Sequence, residues 1–123
     1  MTLQDQDDLY GPPPDHRRDR LKAAFITSLI GLATDMPARE IAARTRSSQA
    51  ATRARHIAIY LAHVTLEWSL ARVAAAFGRD RTTASNAVRL VEDLRDDPGI
   101  DARLAELEAC IRQAPDSWTE ARS

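Results

Sequence analysis

A chain of 123 residues, 44% of them hydrophobic, has material for one small core, since about 100 to 150 residues is the usual domain unit. No apolar run reaches the ~20 residues of a bilayer span, and M-T-L-Q-D-Q-D-D-L-Y lacks the basic start and apolar stretch of a secretory signal, so the expectation is a cytoplasmic protein with no membrane contact. The single Cys110 excludes an internal disulfide and a thiolate zinc set, and a net charge of -1 taken alone speaks against a nucleic-acid partner.

Residues 1–18 set Gly11, Pro12, Pro13 and Pro14 among aspartates, a composition that buries too little apolar surface to offset the entropy of ordering, and they read as a disordered arm. A domain is expected over 19–113, with a flexible tail over 114–123. From Asp19 the pattern is helical, with Leu21, Phe25, Leu29 and Leu32 on one stripe and an end near Thr34. Pro37 suits the first position of a short helix that buries Ile41 and Ala42. After the polar connector R-T-R-S-S-Q, a third helix runs from Gln49 to about Thr65, with Ile57, Leu61 and Val64 inward and Arg53 and Arg55 near its start. Leu66, Glu67 and Trp68 read as a link.

The stretch from Ser69 to Leu94 gives the chain its purpose. Leu70, Val73, Ala74 and Phe77 form the buried face of a short helix, and Gly78 supplies the left-handed turn that ends it. Asp80 is placed to cap a second helix whose inner face is Ala84, Ala87, Val88, Val91 and Leu94. At about 100° per residue, Thr82, Asn86, Arg89 and Asp93 share the opposite arc. A short helix, a tight turn and a longer helix that starts with hydrogen-bonding side chains make a helix-turn-helix, whose second helix enters the major groove. Asp96, Asp97, Pro98 and Gly99 end that helix, and Leu104, Leu107 and Ile111 mark a last one. Trp118, in the tail, has no obvious place. No period-2 run occurs, so the fold class is all-α, a compact bundle of about six helices.

The net charge conceals a strong segregation. Residues 39–89 carry nine arginines against Glu40, Glu67 and Asp80, a net of +6, while 1–19 stand at -3 and 90–123 at -5. A basic centre between acidic ends is the footprint of a surface that meets phosphates. There is no Ser-His-Asp set and no paired carboxylates, so no catalytic residue, enzyme activity or cofactor is expected. His56 and His63 lack a third ligand, so no metal is expected either.

The runs R-A-R-H-I-A-I-Y-L-A-H and S-L-A-R-V-A-A-A-F-G-R-D-R-T-T resemble the C-terminal DNA-binding domain of the bacterial chromosomal replication initiator DnaA, over roughly residues 20 to 113. Nothing matches the phosphate loop of that family's ATPase module, so the expectation is a stand-alone DNA-binding unit. The resemblance implies that Arg53 is the minor-groove arginine and His63 a phosphate neighbour. It also implies that Arg79, Asp80, Arg81, Thr82 and Thr83 are the major-groove set. Three departures stand out: Gly78 is alone where the family has two glycines, and Arg81 and Asn86 stand where histidines are common. Arg81 suits guanine O6 and N7 and Asn86 suits adenine N6 and N7, which points to a different target sequence; Arg89 completes the outer face. Arg44, Arg46, Arg55 and Arg72 are expected on phosphate backbone or in solvent.

Two or three good base contacts discriminate by roughly 10²- to 10⁵-fold, so clustered sites, a homodimer or a partner protein is expected to add a second binding event. The leading expectation is a sequence-specific, nucleoid-associated transcription regulator of double-stranded DNA. The alternatives are a modulator of replication initiation that competes for initiator boxes, and a protein-interaction adaptor that uses the acidic tails and Trp118.

Overall fold

The computed structural model describes residues 15–45 and 47–115, and these form six helices. They are α1 (His16–Thr34), α2 (Ala38–Ile41), α3 (Gln49–Leu66), α4 (Leu70–Phe77), α5 (Arg81–Leu94) and α6 (Pro98–Gln113). The all-α bundle expected from the sequence is what is observed. Trp118, Arg46 and most of the two tails lie outside the described residues.

Helix α3 is the axis of the fold and packs against all five other helices. Its sequence suits that place, because Ala51, Ala54, Ala58 and Ala62 leave room for neighbouring backbones while Ile59, Tyr60 and Leu61 fill the gaps. The run from Ala58 to Ala62 is buried all round, a broader burial than the stripe of Ile57, Leu61 and Val64 expected from the sequence; Ile57 and Val64 are only half-buried. Val73, Ala74, Ala84, Ala87 and Val91 close the core from α4 and α5, and Leu104 and Ile111 cover it from α6.

Four local assignments need correction. Helix α1 starts at His16, inside the expected arm, because Asp15 caps it by accepting from the Arg18 amide at 3.1 Å. Its buried stripe is Asp19, Ala23, Ile26, Thr27 and Ile30, whereas Leu32 is 84% exposed. Of the expected stripe, Leu21, Phe25 and Leu29 are half-buried, Phe25 and Leu29 packing against the edge of the core, while packing on α3 and α4 fully buries the neighbouring row of smaller residues. Trp68, read as linker, is 5% exposed and belongs to the core, reached because Glu67 takes a left-handed φ of 56°. Pro98 and Gly99 open α6 instead of only stopping α5, since Asp97 caps their helix and Pro suits its first position.

One glycine is set by close approach. A Cβ at Gly31 would lie 2.6 Å from the Met36 carbonyl oxygen, where the chain folds back after α1 and the Met36 amide donates to the Gly31 carbonyl at 2.9 Å. Gly31→Ala is expected to destabilise the domain by about 1–2 kcal/mol net of its gain in helix propensity, read by urea denaturation. A more stable variant would show that this corner yields.

Candidate nucleic-acid interface

The turn between α4 and α5 is built from Gly78, Arg79 and Asp80. Gly78 sits at φ 66°, its amide donates to the Ala75 carbonyl at 3.2 Å, and the Arg79 amide reaches back to Ala74 at 2.8 Å, which ends α4 in a Schellman closure. The lone glycine therefore suffices to turn the chain. Asp80 is extended and accepts the Thr83 amide at 2.7 Å, as expected of a cap. The Thr83 backbone and side-chain hydrogen bonds hold the Asp80 carboxyl below its usual pKa, so it stays a charged acceptor at the start of α5.

Along α5 the inner row of Ala84, Ala87 and Val91 is buried, and Arg81, Thr82, Asn86 and Arg89 are exposed; Thr83 is half-buried. Arg89 Nη2 donates to Asn86 Oδ1 at 3.0 Å. That oxygen keeps a second lone pair, so the bond fixes the amide's orientation while leaving it free to accept from a base. Ser85, exposed between Arg81 and Arg89 at i+4 spacing from each, belongs to the same face and was overlooked in the sequence. That spacing was the available signal.

Arg53 is exposed on the first turns of α3 and lines an open groove of about 750 Å³ with Leu90 and Leu94 of α5 and with Met36. The long central helix and α5 thus bring Arg53 alongside the helix that carries the polar row. His63 is half-buried near the end of α3, and its Nδ1 donates to the Trp68 carbonyl at 2.7 Å. That bond fixes the tautomer, braces the turn into α4, and leaves Nε2 as the ring's other polar atom.

The arginines divide into two groups. Arg79, expected in the major-groove set, directs Nη2 to the carbonyls of Ala42 and Ala43 at 3.2 and 2.7 Å, while Arg44 Nη2 donates back to the Gly78 carbonyl at 2.7 Å. The pair locks the turn to the loop after α2. Arg55 donates from Nε to the Ile41 carbonyl at 2.7 Å and from Nη2 to Ser47 Oγ at 2.8 Å. Arg72 forms a two-point pair with buried Asp19, Nε to Oδ2 at 2.8 Å and Nη2 to Oδ1 at 3.0 Å, and its guanidinium lies 4.6 Å from the Trp68 ring centroid. Much of the central positive charge therefore braces the fold, which the count of arginines could not reveal. On the far side, Arg95 ties Asp101, Tyr60 and Glu108 together beneath α6.

His56 sits half-buried beside Arg55, and burial, reinforced by that guanidinium, lowers its pKa. A base with a depressed folded pKa binds protons less well than in the unfolded chain. The stability it secures is therefore fully present above its unfolded value of about 6.5 and falls as pH drops through the window below it. Thermal midpoints measured from about pH 7.5 down to about pH 5 are expected to fall more steeply for this chain than for His56→Gln. Equal slopes would place the acid sensitivity elsewhere.

Comparison with known proteins comes to the same place. The bacterial DnaA protein helix-turn-helix family matches residues 24–91, more than half of the chain, from the middle of α1 to the inner row of α5. The chain belongs to the bacterial DnaA helix-turn-helix family. A crystal structure of a DNA replication initiation factor superposes with a TM-score of 0.68 at 28% identity, over 78% of this chain and 30% of that one. The chain thus spans less than a third of that protein. A search of curated proteins returns no match. Membership in the DnaA helix-turn-helix family implies a DNA-binding module that is by itself non-catalytic. Among the described residues no helix is long and apolar enough to cross a membrane, and no group of three or more His, Cys, Asp or Glu side chains could hold a metal ion.

Proposed function

We propose that this protein is a sequence-specific binder of double-stranded DNA that acts as a bacterial transcription regulator in the cytoplasm, on the nucleoid. One observation carries the reading: α5 holds an exposed polar row from Arg81 to Arg89, and Arg53 stands beside the same helix, while Arg44, Arg55, Arg72 and Arg79 are turned to internal partners. At about 1.5 Å per residue, the level of Arg81 lies roughly 13 Å along the helix from that of Leu90, which lines the same groove as Arg53. That separation is comparable with the ~12 Å width of a major groove, so α5 entering one groove and Arg53 reaching the flanking minor groove are mutually consistent.

In this reading Arg81 takes guanine O6 and N7, Asn86 takes adenine N6 and N7, and Thr82, Thr83, Ser85 and His63 meet backbone phosphates. Asp80 caps α5, and Arg79 holds the turn at the register these contacts need. Two or three base contacts give modest discrimination, so a homodimer, a partner protein or clustered sites complete the affinity.

Selection of bound duplexes from a random pool, followed by anisotropy titration, tests the proposal. A defined motif is expected, with affinity falling steeply as salt rises. Absence of any motif, or an affinity indifferent to salt, refutes it. The 28% identity to a DNA replication initiation factor favours a second reading, competition for initiator boxes. Genome-wide occupancy separates the two: promoters for the first, the replication origin for the second.

A further inference from the structure

A second basic feature lies apart from the polar row of α5. Between α1, α2 and the end of α4 a cavity of about 330 Å³ is lined by four arginines, Arg20, Arg39, Arg55 and Arg79, and among the described residues no carboxylate lines it. Its walls are otherwise small or apolar, with Ala23, Ala38, Ile41 and Phe77 among them; Ser28 adds a hydroxyl, whereas that of Thr27 is already donated to the Ala23 carbonyl at 2.9 Å. Asp19, next to Arg20 in sequence, is committed to Arg72. Internal partners for these guanidinium groups are neutral: carbonyls of Ile41, Ala42 and Ala43, and the Ser47 hydroxyl. Arg79 Nε is buried with no hydrogen-bond partner. Burial, then the charge of Arg79, lowers the pKa of Arg55, as expected where guanidinium groups crowd together without a counter-ion.

Buried donors without partners and like charges without a counter-charge both cost stability, and a bound anion would relieve both. Arginine forks suit phosphate oxygens, the volume is at the lower end of small-ligand sites, and the apolar wall favours a ligand with a ring or chain behind its phosphates.

We propose that this cavity is a binding site for a small phosphorylated molecule of about nucleotide size, gripped by Arg20, Arg39, Arg55 and Arg79. Arg20 and Arg39 are exposed at its mouth, so they are the side chains that can close on the ligand without disturbing the internal bonds of the other two.

The test is titration calorimetry of the full chain with inorganic pyrophosphate and with GDP, at about 0.15 M salt. Both are expected to bind saturably with one-to-one stoichiometry, GDP more tightly because its base and sugar cover the apolar wall. The double variant Arg20→Ala/Arg39→Ala should retain its helical circular dichroism and lose at least tenfold in affinity for both probes, while Arg53→Ala binds them unchanged. Failure to saturate, or equal binding by the double variant, overturns the proposal. So does an equal loss in Arg53→Ala, which would put the anions on the DNA-facing surface. If duplex affinity of the double variant falls in step with its pyrophosphate affinity, the cavity seats backbone phosphate and the small-molecule site is refuted. Wild-type duplex binding, measured separately, reports on the DNA-binding reading alone.

Discussion

Replacing Arg53 and Arg81 together by alanine is expected to lower affinity for the selected duplex by about 10²- to 10⁴-fold, with a far smaller loss on random DNA. Each bidentate base contact discriminates by about 1–3 kcal/mol, and the two side chains serve different grooves in the proposed docking, so their losses should nearly add. Random DNA loses only the charge component, seen as a salt slope shallower by about two. Both side chains are exposed, so the fold should survive and the thermal midpoint should scarcely move. Asn86→Ala is expected to relax preference at a single adenine. Arg89→Ala should weaken the same position less, because it removes only the bond that orients the Asn86 amide. If the double variant binds the selected and random duplexes with an unchanged ratio, α5 and Arg53 do not read sequence.

The largest stability effect is expected from Arg72→Ala. Asp19 has a side chain only 4% exposed, and Arg72, at 37%, is its ion-pair partner across 53 residues of sequence. Removing the arginine strands a buried carboxylate, for which breaking a buried pair costs 3–5 kcal/mol; the partly open arginine side brings the figure to roughly 3 kcal/mol. Some of that loss belongs to the guanidinium stacked on Trp68. Asp19→Ala should cost less, because a stranded Arg72 can turn to water. The double variant should be less damaging than the two single losses summed, since no charge is left buried. Urea denaturation followed by circular dichroism reads all three. An Arg72→Ala loss no greater than that of Asp19→Ala would mean that the carboxylate finds water or another donor. Against the 5–15 kcal/mol typical of small domains, a loss of this size in a protein at the low end would leave about 2 kcal/mol, with roughly a few per cent of molecules unfolded at any moment.

Arg53 and Arg81 on one side and Arg72 on the other differ in role, a division that the sequence alone does not reveal. Arg53, Arg55, Arg72, Arg79 and Arg81 are the same residue type in one basic segment. Only the placement of Asp19, the Ile41 carbonyl and the carbonyls of Ala42 and Ala43 separates those that hold the fold from those that remain available. Trp68 reads as linker in the sequence for a related reason: a core tryptophan and a linker tryptophan look alike until the left-handed turn at Glu67 directs the chain inward.

Local features were written plainly in the chain. The end of α4 at Phe77, the left-handed Gly78, the Asp80 cap and the buried and exposed rows of α5 all follow from residues within a few positions of one another, through backbone sterics, capping and helical period. Tertiary structure decided which of two apolar stripes α1 buries, that Asp19 goes inside, where Trp68 lies, and which arginines are bound. Those outcomes depend on partners beyond the local helical repeat, from 8 residues away for Arg55 and Ser47 to 53 for Arg72 and Asp19, and such a contact leaves no periodic trace at either of its ends.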